Sequence, residues 1–321
     1  MSFSENPLVA GRSIGAAPPP EPTGSLLFAA LWMMGALSSF ALMAVAGREV
    51  SHEIDTFQLM FYRSLLGVII IVAIGAVLPG GLSRFKTQRL GMHFSRNVLH
   101  FVGQFCWFYA IALITLAEVF ALEFTTPIWV ALLAPLFLSE RMTVGRGVAV
   151  ALGFAGVIIV LRPGITALEA GHIAMLSGAV GFAFSFMLTK KLSRTDRPLT
   201  ILFWMALMQA PMGLIGSLGD VTLPGPMLAI WLILVTVCGL SAHFCTAQAF
   251  RWADATAVAP IDFFRLPLIA VVGMVLYAEP LDPFVFIGGA VILTGNWFNI
   301  WYEHRKRQAS EGRLPKARGD L

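Results

Sequence analysis

Charged side chains are scarce in this sequence. Asp, Glu, Lys and Arg make up 12% of its 321 residues, about half the ~25% of an ordinary soluble chain. With 57% apolar residues and a mean hydropathy of +0.79, no globular shape could hide the oil behind so few charges. Soluble enzymes, nucleic-acid binders and secreted scaffolds are thereby excluded, and the pI near 9.2 does not signal a nucleic-acid partner. Cysteine is rare too. Cys106, Cys238 and Cys245 lie within apolar runs and read as small hydrophobes, not as disulfide or metal partners. Catalytic signatures are missing: His52-Glu53 has no second histidine at metalloprotease spacing, and no Gly-rich loop with a lysine could cradle ATP. The sequence therefore calls for no cofactor and no metal. Its loops are too short for a soluble catalytic domain, which leaves a receptor or scaffold, or a lipid-handling enzyme, as the rivals of a carrier.

What is present is a series of apolar stretches, each long enough to approach the roughly 20 residues that cross a bilayer. Charges and turn signals cut them into ten spans: 26–47, 57–78, 94–114, 117–138, 147–161, 172–189, 199–218, 226–249, 255–277 and 284–302. The fold class is thus all-α, a polytopic membrane protein. Residues 1–25, with Pro18-Pro19-Pro20, read as a disordered cytoplasmic tail without the features of a cleaved signal, and 303–321 as a basic tail. Of the 22 lysines and arginines, only Arg48 and Arg162 fall in outer loops and Arg63 and Arg265 within spans. The rest mark one face, which the positive-inside rule assigns to the cytoplasm, with both termini there.

Shifting the chain by 139 residues superposes spans 3–5 on 8–10. Phe105-Cys106 meets Phe244-Cys245, Glu123-Phe124 meets Asp262-Phe263, Glu140 meets Glu279 and Gly156 meets Gly295. Phe61-Tyr62 falls opposite Phe203-Trp204 at a slightly different offset. An odd number of spans per half makes the repeat inverted, with halves at 26–161 and 172–302, as in carriers whose half-bundles rock about a central site. Trp107 to Leu113, Pro127 to Arg141, Gly153 to Pro163 and Phe61-Tyr62-Arg63 resemble the EamA-type drug/metabolite transporter superfamily. The resemblance implies ten helices in two inverted five-helix repeats, a bacterial inner-membrane location and the movement of small organic metabolites. An amino-acid-like or amphipathic solute, export more than uptake, and alternating access are expected from it. The partners expected are a small-molecule substrate and the bilayer, with a homodimer left open.

Charges that must sit in oil need a partner, water or a task. Arg63 lies about 9 Å below the outer end of its span at 1.5 Å per residue, at a depth similar to Glu123, so the two are expected to pair, for function or for packing alike. Glu118 reads as a solvated rim residue. Asp262 and Arg265 share a helix face at i,i+3, with His243 at similar depth as a proton relay or a packing histidine. Glu123 and Asp262, equivalent under the repeat, are the candidates for proton linkage. Pro127, Pro135, Pro260 and Pro267 recur in the two halves, and interrupted helices at matching places point to a binding site. The candidate lining is aromatic, with Trp107, Tyr109, Phe124, Trp129, Trp204, Phe244, Phe263 and Phe264; Gln104, Gln209 and Gln248 are candidate hydrogen bonders, and His100 reads as structural. Glycines in spans 5 and 10 are expected to let helices approach closely, and the family resemblance implies that these two spans pack around a peripheral surface that a dimer could use.

Overall fold

The computed structural model describes residues 25–137, 142–218, 221–253, 258, 261, 262 and 264–311. Pro260, Phe263, Glu140 and the proline-rich tail lie outside the described residues. The chain folds into α1 (Leu26–Ser51), α2 (Thr56–Val77), a 3-10 turn (Gly81–Phe85), α3 (Leu90–Leu113), α4 (Leu116–Glu123), α5 (Thr126–Phe137), α6 (Val144–Leu161), α7 (Ala170–Leu192), α8 (Pro198–Gly216), α9 (Pro226–Trp252), α10 (Arg265–Tyr277) and α11 (Pro283–Glu311). Among the described residues, eight stretches are long and apolar enough to cross a membrane, one of them joining α4 to α5 as Leu116–Pro135. The 24-residue α3 is not among them. It carries His93, Arg96, Asn97, His100 and Gln104 on one face, all buried, so its polar stripe turns inward together with Phe101, Trp107, Phe108 and Ile111. The 13-residue α10 is the C-terminal half of the ninth span.

The antiparallel reversal between α3 and α4 takes two residues, and a capping box makes it. Thr115 Oγ1 accepts from Glu118 N at 3.2 Å while Glu118 Oε2 accepts from Thr115 N at 3.0 Å. Glu118 is therefore not the solvated rim residue expected. Its carboxylate caps α4 and also meets His172 Nε2 at 3.4 Å.

Helix pairing carries the repeat. The most extensive packing is α1 along α9, α3 along α7, α2 on α8 and α6 on α11. Exchanging the halves sends α1 to α7, α2 to α8, α3 to α9 and α6 to α11. The α1–α9 pair then becomes the α7–α3 pair, while α2–α8 and α6–α11 map onto themselves. A contact pattern that survives this exchange is that of an approximate two-fold axis, and five crossings per half place that axis in the membrane plane.

Close approach needs glycine at one crossing in particular. A Cβ on Gly156 of α6 would lie 2.6 Å from the Gly288 carbonyl oxygen of α11, so the two backbones touch where any side chain would part them. These glycines thus serve contact within the chain. Gly156→Ile is expected to separate α6 from α11 and destabilise the fold by about 1–3 kcal/mol, seen as a lower melting temperature of the purified protein. An unchanged melting temperature would mean that the crossing tolerates a spacer.

Candidate functional site

Two lengths of helix meet where the fourth span breaks. Helix α4 ends at Glu123, and α5 begins at Thr126 with Pro127 in its first turn. Proline has no N–H to return to Glu123, so the backbone opens at membrane depth. Two neighbouring carbonyls at the break are partnered from within the protein: Thr125 Oγ1 donates to Leu122 O at 2.6 Å, and Asn296 Nδ2 of α11 donates to Phe124 O at 2.8 Å. In the second half, Pro267 likewise falls in the first turn of α10. Both prolines thus fall in the first turn of a helix.

Beside the break lies a cavity of about 640 Å³, within the ~300–1,000 Å³ of small-molecule sites. Its deep part is walled by Trp107, Phe108, Glu123, Phe124, Pro127 and Arg265, and one side by His100, Gln104 and His243. Towards the end marked by basic residues it reaches Arg146, Lys190, Phe250 and Asn299. Phe40, Phe182 and Phe186 add aromatic faces, and Asp262 and Thr126 polar ones.

Arg265 organises the acids. It is buried, donates from Nη1 to Glu123 Oε1 at 3.1 Å and approaches Asp262 Oδ2 at 3.5 Å through Nη2. Its guanidinium lies over Phe124 at 4.7 Å, with Phe40 and Phe120 close by. Trp107 Nε1 donates to the other Glu123 oxygen at 2.8 Å. The expected Arg63–Glu123 pair is not formed: Arg63 Nη1 donates instead to Gln104 Oε1 at 2.8 Å. Arg63 turns to α3, and Glu123 turns to α10. His243 makes an edge contact with Phe40, and no hydrogen bond joins it to Asp262 among the described residues.

The cavity thus gathers Gln104, Trp107, Glu123, Pro127, His243, Asp262 and Arg265 from the sequence candidates, together with Phe124. Arg63 lies one side chain behind its wall. Tyr109 is partly exposed and stacks on Phe105, two residues round α3 from inward-facing Trp107. Trp129 packs edge-on against Phe154 of α6. Trp204 donates to Phe85 O at 2.9 Å near the basic end of α8, and Phe244 and Phe264 are exposed. Pro135 and Pro267 lie in helices beside the cavity but do not line it.

Sequence reasoning missed the cluster at the opposite end. It assigned Arg48 to a loop, yet α1 runs on to Ser51 and buries it. Its Nε donates to Ile111 O at 2.6 Å, Nη2 to Ile114 O and Nη1 to Glu279, which also accepts from Leu116 N at 3.0 Å. Tyr277 lies under the guanidinium at 4.9 Å and donates to Glu49 at 2.8 Å. One ion pair thereby joins α1, α3, α4 and the end of α10. The signal available was the recurrence of Glu140 as Glu279.

Comparison with known proteins gives concordant matches. The EamA-like transporter family model matches twice, over residues 27–162 and 169–301. A riboflavin transporter of Rhizobium johnstonii is 27% identical over 292 residues, 90% of this chain and 95% of that protein. An S-adenosylmethionine uptake transporter of Rickettsia felis is 25% identical over 275 residues, 85% and 92% respectively. A solved structure superposes with a TM-score of 0.60 at 17% identity, covering 86% of this chain and 98% of that one.

Proposed function

The chain belongs to the EamA-like transporter family, and from that premise we propose that it carries a planar heteroaromatic metabolite with a polar arm, by alternating access between its two halves. It is a multi-pass membrane transporter of small metabolites rather than an enzyme. The observation that carries the finer reading is a cavity between the halves that runs to the basic end while an ion-paired cluster ties four helices together at the other. In an alternating-access carrier that is one of the two end states. The relatives' names support the solute class, since riboflavin and S-adenosylmethionine both join a fused nitrogen heterocycle to a hydroxylated arm. The aromatic faces of Trp107, Phe108, Phe124 and Phe182 suit such a ring. Taking the basic end as cytoplasmic, the state is open to the inside of a bacterial inner membrane with both termini there. A relative named for uptake argues for import over the export expected from sequence.

The test is counterflow of labelled riboflavin and of labelled S-adenosylmethionine into proteoliposomes holding the full chain. Exchange of either supports the carrier; exchange of neither rejects this solute class.

Proton linkage follows from the shared arginine. Glu123 and Asp262 divide one cation between them, so a proton on either carboxylate would leave Arg265 to the other and change how the halves are held. An inward proton gradient is expected to raise wild-type uptake severalfold, and Glu123→Gln and Asp262→Asn to abolish that response. If both variants keep the wild-type dependence on the gradient, the acids do not couple protons and the carrier is a facilitator.

A further inference from the structure

We infer that the wall formed by His100, Gln104 and His243 is a subsite for an anionic oxygen group on the solute, a carboxylate or a phosphate monoester, with Arg63 as its counter-charge. The inference rests on the carrier reading of the same cavity and adds the charge that the solute bears.

The first observation is a cation without an anion. Arg63 is 6% exposed, yet its only hydrogen bond among the described residues runs to the neutral amide of Gln104, and its Nε has no partner. Both cavity carboxylates are held by Arg265 at 3.1 and 3.5 Å. Arg96, also 6% exposed, stands two turns below Gln104 on the same face of α3. It bonds to Thr189 at 3.1 Å and Asn97 at 2.8 Å, again with no carboxylate. A guanidinium held in oil without a counter-ion is costly, and an anion arriving with the solute would offset that cost.

The second observation is position. Arg63 sits over the Phe108 ring at 5.8 Å and beside Gln104, both of which line the cavity. On its far side α9 makes room with Gly239, where a Cβ would stand 3.2 Å from Arg63 Nη2. The repeat aligns Gly239 with His100 and Met205 with Arg63. The charge therefore occurs in one half only, and the glycine that accommodates it occurs in the other.

The third observation is the character of the wall. Gln209 Nε2 is 3.1 Å from His100 Nδ1 and 3.2 Å from Asn97 O. Donating to Nδ1, it leaves His100 with its proton on Nε2, as a donor. Gln104 turns its oxygen to Arg63, which leaves its N–H groups for the cavity. Donors backed by two unneutralised guanidiniums suit an oxyanion and give a neutral group no comparable gain.

The experiment compares neutral and anionic twins on the full-length protein in nanodiscs: riboflavin against its 5′-phosphate, and indole-3-ethanol against indole-3-acetate. Binding is followed by flavin or tryptophan fluorescence. The anionic twin is expected to bind about tenfold tighter or more. Arg63→Gln should collapse that ratio towards one. Gln104→Glu, which gives Arg63 a carboxylate from within the protein, should also collapse it and raise the melting temperature. Neutral twins that bind as tightly as their anionic partners to the wild type overturn the inference and leave the carrier reading standing. A preference that survives in both variants overturns the role of Arg63. If folded wild type binds none of the four probes, the heteroaromatic reading fails, and this inference fails with it.

Discussion

Replacing Arg265 by leucine is expected to cut counterflow by about 100-fold or more, and to lower the yield of folded protein, because removing one partner of a buried ion pair costs roughly 3–5 kcal/mol. The guanidinium is shared by Glu123 and Asp262 and stacked among three phenylalanines. Without it two carboxylates face the same space, and Glu123 keeps only the Trp107 N–H. Loss of fold and loss of function can be separated. In a chain that also carries Glu123→Gln and Asp262→Asn, no unpaired charge remains, so the melting temperature should recover while counterflow stays low. A single Arg265→Leu variant that exchanges solute at the wild-type rate would show that the triad stands aside from transport.

Glu279→Gln should shift the conformational balance towards opening at the end remote from the basic residues. The carboxylate holds Arg48 of α1 and the first N–H of α4 together, and charged hydrogen bonds of this kind contribute about 1.5–3 kcal/mol. A loss of that size moves a two-state population about tenfold or more. The reporter is Ala117→Cys, in a chain whose three native cysteines are replaced, because Ala117 is buried next to the cluster. An impermeant maleimide applied from the side opposite the basic end should label it about tenfold faster in the Glu279→Gln background, in line with the population shift. Equal labelling rates would show that the cluster is not what keeps that end shut.

Much of the architecture was legible in the sequence, because hydropathy, basic residues and an internal repeat are properties of single residues and their spacing. The α3–α4 reversal carries a local signal as well, Thr115 and Glu118 three apart as in a capping box, which the division into spans does not use. The site was less legible, for a geometric reason. Counting residues from a span end gives height in the membrane but not the direction a side chain takes around its helix. Counting places Arg63 and Glu123 at one height, yet one is turned to α3 and the other to α10. Tyr109, Trp129 and Trp204 failed for the same reason: each has the chemistry of a lining residue on a face turned elsewhere. Arg48 was hidden by the opposite error. A charge at the end of an apolar run looks like a boundary, whereas here four helix ends close over it.

Helix α4 has one further consequence. At one end its first N–H is held by Glu279, and at the other its last residue, Glu123, is held by Arg265. Eight residues at 1.5 Å each make a strut about 12 Å long, too short to flex appreciably. In the carrier reading, a displacement of the Glu123 tip would therefore be carried by about two turns of helix to the tip held by Glu279.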